Sequence, residues 1–437
     1  MNKITGYLPS FKLIDKPFKF LVPEYFEPDK VKPIYKARVC HFVNSLVTKK
    51  VYDRRYKFNK GNYIDGDDVR MSSIALKECY GSRHYLNVVN EAVRLGVVKR
   101  LNYHPSEGRA TRFYIIDYES GNRINPKTKT KQIEIIDRKL RRRLIQVNEK
   151  KRQWILNKGK IYQCLERDLS NLKIDKESAI NKVREMNLMG ELTNVQFDVY
   201  NWGIDVISDY SERELIYSVD DYGRVHSILT SFPRILRQFL SLGEEDLWSV
   251  DISNSQPFLA IPIFRSYMQQ KGLGLTNDIL EYEKYAIEGG FYETLMDDIS
   301  FPIEMREEYK HNIFFKHIFY STLASNERSK HWKSFSKRFP KCAEIIVYEK
   351  RNSHKEFARK MQRIESDLII NNVCRKLYRD YPCIRILTIH DSILTTEKYL
   401  DAVRGTIGEI FLSKYGIEKK IKKERVTTRN TIKELVA

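Results

Sequence analysis

An α+β fold is predicted for this chain, and three observations carry it. Two apolar runs, LWSVDISNSQPFL at 247–259 and IRILTIHDSILTT at 384–396, each read as a strand that ends on an aspartate just before a new element. Helical periodicity recurs near 257–270, 304–323 and 354–379, so strands and helices interleave as in an antiparallel sheet covered by helices on one face. Ahead of both, a helix followed by a hairpin closes the first 120 residues. With 437 residues the chain has room for about three domains. Their expected boundaries are 1–120, 121–215 and 216–437.

Composition narrows the partners. Lys and Arg number 77 against 57 Asp and Glu, a formal charge of +20, so the field around the molecule attracts polyanions. Hydrophobic residues make up 42% and aromatic ones 12%, enough to build cores and to set disorder aside. The six cysteines include no C-x-x-C pair, which points to reduced thiols rather than to zinc or a disulfide framework. The start, MNKITGYLPS, lacks the apolar core of a signal peptide, and no stretch approaches the ~18 apolar residues of a membrane span. A cytoplasmic protein without membrane partners is expected.

In the first zone, SRHYLNVVNEAVRL at 82–95 sets Leu86, Val89, Ala92 and Val93 on a helical stripe, with Ser82 as N-cap and Gly96 as stop. VVKRLNYH and RATRFYIID then alternate around PSEG, which has the Pro and Gly of a turn. Helix followed by hairpin resembles a winged-helix domain, in which the helix enters the major groove and the wing touches the backbone. That likeness would turn Arg83, His84, Asn87 and Arg109 toward DNA.

The second zone is expected to be helical and basic. Residues 121–170 hold fifteen Lys or Arg and five Asp or Glu, so half of the chain's charge excess falls in fifty residues. Interleaved Ile135, Ile136, Leu140, Leu144, Ile145, Trp154 and Ile155 let it pack one face while charging the other. The plain alternative is a solvated helix face; the functional reading is a surface that tracks phosphates and releases their counterions.

The third zone holds the chemistry. Asp251 precedes ISNSQP, where Pro257 suits the first position of a helix, and Asp391 follows His390 in the tight turn of a hairpin. Carboxylates at strand ends suit hard divalent cations, and two could hold a metal pair roughly 3.5–4 Å apart, with the Ile252 carbonyl as a further ligand. In REEYKHNIFFKHIFYS at 306–321, Arg306, Lys310 and Phe314 recur every four residues and line one helical face. Two cations one turn apart suit a triphosphate, and a ring on the same stripe could stack a base.

Together these pieces resemble the family A nucleic-acid polymerases, which include bacterial DNA polymerase I and the single-subunit phage-type RNA polymerases. Asp251 with ISNSQ is similar to their first palm motif, His390-Asp391 to their third, and Arg306-x3-Lys310-x3-Phe314 to the fingers helix that binds the incoming nucleotide. DDYGRVHSILTSFPRILRQF at 220–239 looks like the stretch ahead of the first aspartate, with Gly223, Arg224 and Arg237 toward the primer-template. A helix ahead of the third motif brings Gln362 to the template strand. The likeness spans about 216–400 in the family's order. It implies a right-hand palm with helical fingers, a thumb-like middle region and no evident exonuclease. It also implies two Mg²⁺ ions, with Mn²⁺ as a substitute, and DNA primer-template and deoxynucleoside triphosphates as partners.

The departures bear on the reading. The family's fingers tyrosine lies eight residues beyond the lysine, whereas here position 318 is isoleucine and the tyrosine is Tyr320, so either the helix is irregular by two residues or Tyr320 is another residue. Ser392 follows the His-Asp pair where the DNA enzymes commonly carry glutamate. Gln256 stands where the DNA enzymes keep a glutamate against the 2′-hydroxyl, and its bulk favours deoxynucleotides, with an RNA polymerase or primase as the alternative. Readings from other classes are a non-enzymatic replication initiator with a degenerate polymerase half, and a two-metal nuclease.

Overall fold

The computed structural model of the chain describes residues 14–15, 17–52, 69–101, 111–115, 129–208, 217–252, 255–326, 328–418 and 421–427. The chain divides into two compact units. The first comprises 1–158, 173–217 and 227–239, and the second 159–172, 218–226 and 240–437.

The first unit has two small sheets. Strand β1 (Phe18–Pro23) leads to helix α1 (Lys36–Tyr52), whose Val39, Phe42, Val43 and Leu46 are wholly buried. Strand β2 (Val69–Met71), helices α2 (Ser73–Tyr80) and α3 (Tyr85–Arg94), and strands β3 (Val98–Arg100) and β4 (Thr111–Ile115) follow, with the strands ordered β2-β4-β3, all antiparallel. The expected helix and hairpin are present, while the hairpin tip and Arg109 lie outside the described residues.

The stripe on α3 differs from expectation. Val88, Val89 and Ala92 are buried, whereas Leu86 and Val93 are 43% and 40% exposed. Positions 85, 88, 89 and 92 make the better i, i+3, i+4, i+7 face, and the helix starts at Tyr85, beyond the proposed Ser82 cap. The basic zone is not helical throughout either. Strand β5 (Thr130–Ile135) pairs with β1 from Phe18↔Ile135 to Pro23↔Thr130, because TKQIEI alternates with period two and turns Ile133 and Ile135 to the core. Only then does helix α4 (Arg138–Lys158) begin.

The second unit opens with helix α5 (Lys160–Ser170) and the short hairpin β6 (Ser218–Val219) and β7 (Val225–His226). Its main antiparallel sheet is built on β9 (Glu245–Ile252), which follows β8 (Leu240–Leu242) through a tight turn at Gly243. One edge of β9 pairs with β11 (Ser392–Thr396), itself paired with β10 (Leu387–Ile389); the other pairs with β12 (Ile421–Arg425). The helix Leu400–Tyr415 packs on this sheet through Leu400, Val403, Ile407 and Phe411.

Asp168 of α5 fixes the approach to β10. It is fully buried and accepts from the Ile386 N–H at 2.9 Å and the Tyr378 hydroxyl at 2.7 Å, with Arg167 at 2.8 Å as its cation. Asp168→Leu strands these donors in an apolar setting and should lower unfolding free energy by about 3–5 kcal/mol in urea titration, whereas Asp175→Ala at an exposed helix cap should cost about 1 kcal/mol.

Candidate active site

Asp251 and Asp391 come together through strand register. Asp251 is opposite Ser392 across the β9–β11 ladder, and the Ser392 hydroxyl donates to its carboxylate at 3.1 Å. Asp391 is the preceding residue, in a turn whose His390 has φ of 56°. That left-handed conformation costs a non-glycine residue about 1 kcal/mol or more and is characteristic of functional turns. Burial and then the negative charge of Asp391 raise the Asp251 pKa, with Ser392, the Ile252 N–H and Lys310 pulling the other way. Asp251 therefore lies within reach of one like charge, Asp391, and one opposite charge, Lys310.

This pair suits a dication. Mg²⁺ is commonly held by one or two carboxylates, its remaining positions filled by water and substrate oxygens, and a positive ion relieves the like-charge repulsion recorded at Asp251. Among the described residues there is no cluster of three or more His, Cys, Asp or Glu arranged for a metal. Ile252 is buried, opposite Ile421, and contributes its N–H to Asp251.

The fingers-like segment is π-helical. After one α turn at Arg306–Glu308, residues Tyr309–Phe319 form a π-helix, and the Tyr320 N–H donates to the Phe315 carbonyl at 2.8 Å. Its hydrogen bonds close over five residues, and so its turns are wider than those of an α-helix. Tyr309, Phe314 and Phe319 form the buried side, and Lys310, Phe315 and Tyr320 the other, with Phe315 and Tyr320 stacked at 5.7 Å. The segment leading to Tyr320 is thus wound more widely than an α-helix.

Phe314, expected to stack a base, is instead wholly buried among Phe291, Tyr292 and Phe319, and Phe315 has the open position. Arg306 is held by Glu293 and by Glu307 at 2.6 Å, above the Tyr292 ring, so its charge is already matched. Lys310 is the member of the expected stripe whose charge reaches the aspartates.

A second group surrounds Arg224. Asp220 accepts from the N–H groups of Tyr222 and Arg224, both at 2.9 Å, and from His226 at 3.0 Å. Gly223 has φ of 84°, and a Cβ there would come within 3.2 Å of the Tyr162 hydroxyl, so the turn requires glycine. Arg224 pairs with Glu365, which is 2% exposed; burial lifts the Glu365 pKa to about 7 against the pull of Arg224. The Gln256 Nε2 donates to Glu365 at 3.3 Å, and its Oε1 accepts from the Tyr320 hydroxyl at 3.2 Å. Gln362, one turn before Glu365, is half-buried. The helix bearing Gln256 starts at Ser255, so Pro257 lies inside its first turn rather than opening it.

Three residues here escaped sequence reading. Glu365 betrays itself only as an acid on the apolar stripe of RKMQRIESDLII, and Asp220 as the start of an Asp-x-x-Gly turn. Lys350, 1% exposed, left no signal; its ammonium nitrogen reaches the Ile318 and Ser321 carbonyls at 2.7 and 3.1 Å and ties down the end of the π segment.

Of the remaining expected residues, Arg237 belongs to the first unit, where it donates to the Phe232 and Leu229 carbonyls at 3.2 Å. Arg83 is exposed, His84 lies near the Tyr35 ring, and Asn87 donates to the Tyr35 hydroxyl at 2.9 Å.

No family model matches the chain, and no curated protein matches it. Among solved structures, the POL domain of Pol1 from M. smegmatis, in complex with DNA primer-template and dNTP, aligns with a TM-score of 0.34 at 14% identity. The match covers 56% of this chain and 55% of that one. Nothing in that likeness assigns a role to a residue here. Among the described residues, no helix is long and apolar enough to cross a membrane.

Two outcomes follow from this geometry. Phe314→Ala should cost about 3–5 kcal/mol of stability by urea denaturation, the range for emptying a buried ring site, and Phe315→Ala less than about 1.5 kcal/mol. Burial holds the Lys350 pKa down at about 7, against an ordinary value near 10.5. The unfolded chain therefore binds more protons between those values, so this residue's contribution to stability rises as pH climbs from about 7 toward about 10.5. The melting temperature of the wild type relative to Lys350→Met should increase between about pH 6.5 and 9.5; a flat difference would show that Lys350 titrates normally.

Proposed function

We propose that the chain is a nucleotidyltransferase that extends a DNA primer on a template with deoxynucleoside triphosphates. The observation that carries this reading is the approach of Asp391, in the turn before β11, to Asp251 on the paired strand β9, with the Lys310 charge acting on Asp251. Sequence order supports it too, since the turn with Arg224, the first aspartate, the Lys310 segment, the Gln362 helix and His390-Asp391 follow one another as in the polymerases that the sequence resembles.

Each residue then has a task. Asp251 and Asp391 would hold Mg²⁺, or Mn²⁺ in its place, which when bound would supply acidification of the primer 3′-hydroxyl and charge neutralisation at the phosphates. Lys310 draws the triphosphate to the same end of the sheet and matches the charge that grows on pyrophosphate. Phe315 and Tyr320 offer a stacked aromatic face to the base. Gln256, braced by Tyr320, presents its bulk to the sugar and favours a deoxyribose. Arg224, Gln362 and His390 face primer and template. In the first unit, the helix and hairpin act as a winged helix on duplex DNA, with Arg83 as its exposed cation.

A requirement for both aspartates tests the reading. Asp391→Asn and Asp251→Asn should each lower primer extension by about 10³-fold or more while leaving DNA affinity within about threefold in a mobility-shift assay. Undiminished extension by either variant would remove the assignment. Primer degradation without added nucleotide would point to hydrolysis instead.

A further inference from the structure

Glu365 buries a carboxylate that no part of the reaction above uses. Its partners are Arg224, through an ion pair, and Gln256, whose Nε2 is at 3.3 Å. At its other end Gln256 accepts from Tyr320 at 3.2 Å. A glutamine amide has a donor end and an acceptor end of nearly the same shape, so its partners decide which way it faces. In its ion pair with Arg224, Glu365 is a carboxylate that only accepts, which requires Nε2 on its side and leaves Oε1 for a donor. The Tyr320 hydroxyl is that donor.

Four residues from four elements are thereby linked with one sense. Arg224 is presented by the Asp220 turn, Glu365 by the helix Glu356–Ser366, Gln256 by the helix Ser255–Gln270, and Tyr320 by the end of the π segment. The identity of residue 256 follows from this arrangement. A glutamate there would set a second carboxylate against Glu365 at the distance now spanned by a hydrogen bond, in a buried place already close to Asp391.

We propose that Gln256 and Glu365 form a reciprocal pair in which Glu365 is the positioning residue: it sets the sense of the Gln256 amide and, through it, holds Tyr320 where the incoming nucleotide is received. Residue 256 is glutamine because the pair's carboxylate resides at 365. The part concerning the nucleotide rests on the nucleotidyl-transfer reading.

The test is a cycle of full-length wild type, Glu365→Gln, Gln256→Glu and the double exchange, each measured by thermal melting and by primer extension. Glu365→Gln leaves Arg224 without its carboxylate and two amides face to face; Gln256→Glu opposes two carboxylates. Each single variant should raise the nucleotide KM about tenfold with kcat within about threefold, and the exchange should return KM to within about threefold of wild type. Tyr320→Phe should raise KM similarly and add little in the Glu365→Gln background, a non-additivity that general loosening of the fold would not give. An unchanged KM in Glu365→Gln, or an exchange no better than the product of the singles, overturns the proposal. In melting, the exchange should unfold above either single variant; its failure to do so overturns the pair whatever the activity. Wild-type protein unable to extend any primer overturns the nucleotidyl-transfer reading and the nucleotide role with it, while the melting cycle still decides the pairing.

Discussion

The register between β9 and β11 is the constraint on which the second unit depends. Side chains alternate along a strand, so a one-residue slip would turn Asp251 to the face occupied by Val250 and Ile252 and carry it away from Ser392. Slippage is opposed on both edges, because β9 is paired with β12 as well. The tight turn at His390 sets the other half of the register, and its left-handed backbone is the strain accepted to place Asp391 one residue from the ladder. Bringing like charges together is unfavourable without a cation. Two ladders and a strained turn enforce that proximity all the same.

The π-helical segment is the second constraint, and it explains what a four-residue period cannot. Tyr309, Phe314 and Phe319 are five apart, and so are Lys310, Phe315 and Tyr320; the first set is buried and the second faces away from it. An α-helix would bring these sets onto shared faces and expose part of the aromatic core. Lys350 reinforces the wider winding by taking the Ile318 and Ser321 carbonyls, which lie at the end where the pattern must stop. The same winding puts Tyr320 within reach of Gln256. Helix geometry here decides which side chains meet Gln256.

What could be read beforehand follows from which signals are local. The strands at 247–251 and 384–396, the aspartates at their ends and the helix with its following hairpin are short-range patterns, and they stand in the structure close to where the sequence puts them. The misses came from periodicity judged over the wrong template. A four-residue period puts Phe314 on the face of Lys310, whereas in the π-helix Phe314 packs into the aromatic cluster with Phe291, Tyr292 and Phe319. Residues 130–135 share the charge of the basic helix that follows, and only the two-residue alternation of TKQIEI distinguishes them as a strand. Glu365 and Lys350 act through partners far away in the chain, Arg224 and Ser321, and nothing in their immediate neighbours announces those contacts.

Charge count and charge placement also part company. In the first unit, Arg141 is buried over the Phe18 ring at 3.9 Å and donates to the Pro17 carbonyl, and Arg143 donates to the carbonyls of Glu78 and Lys77. Both hold backbone carbonyls of neighbouring segments, so these arginines help to build the unit. In the second unit, Arg224, Arg306 and Arg338 are paired with Glu365, Glu293 and Asp298, which cancels much of their reach. A polyanion approaching through salt solution senses uncompensated charge within about 8–10 Å. Attraction by the first unit therefore comes from α4 and its neighbours even where individual arginines are engaged, and it weakens with salt as counterions compete. At Asp251 the positive charge comes from more than one element, because Lys310 acts on its carboxyl and Lys422 stands opposite it across the β9–β12 ladder.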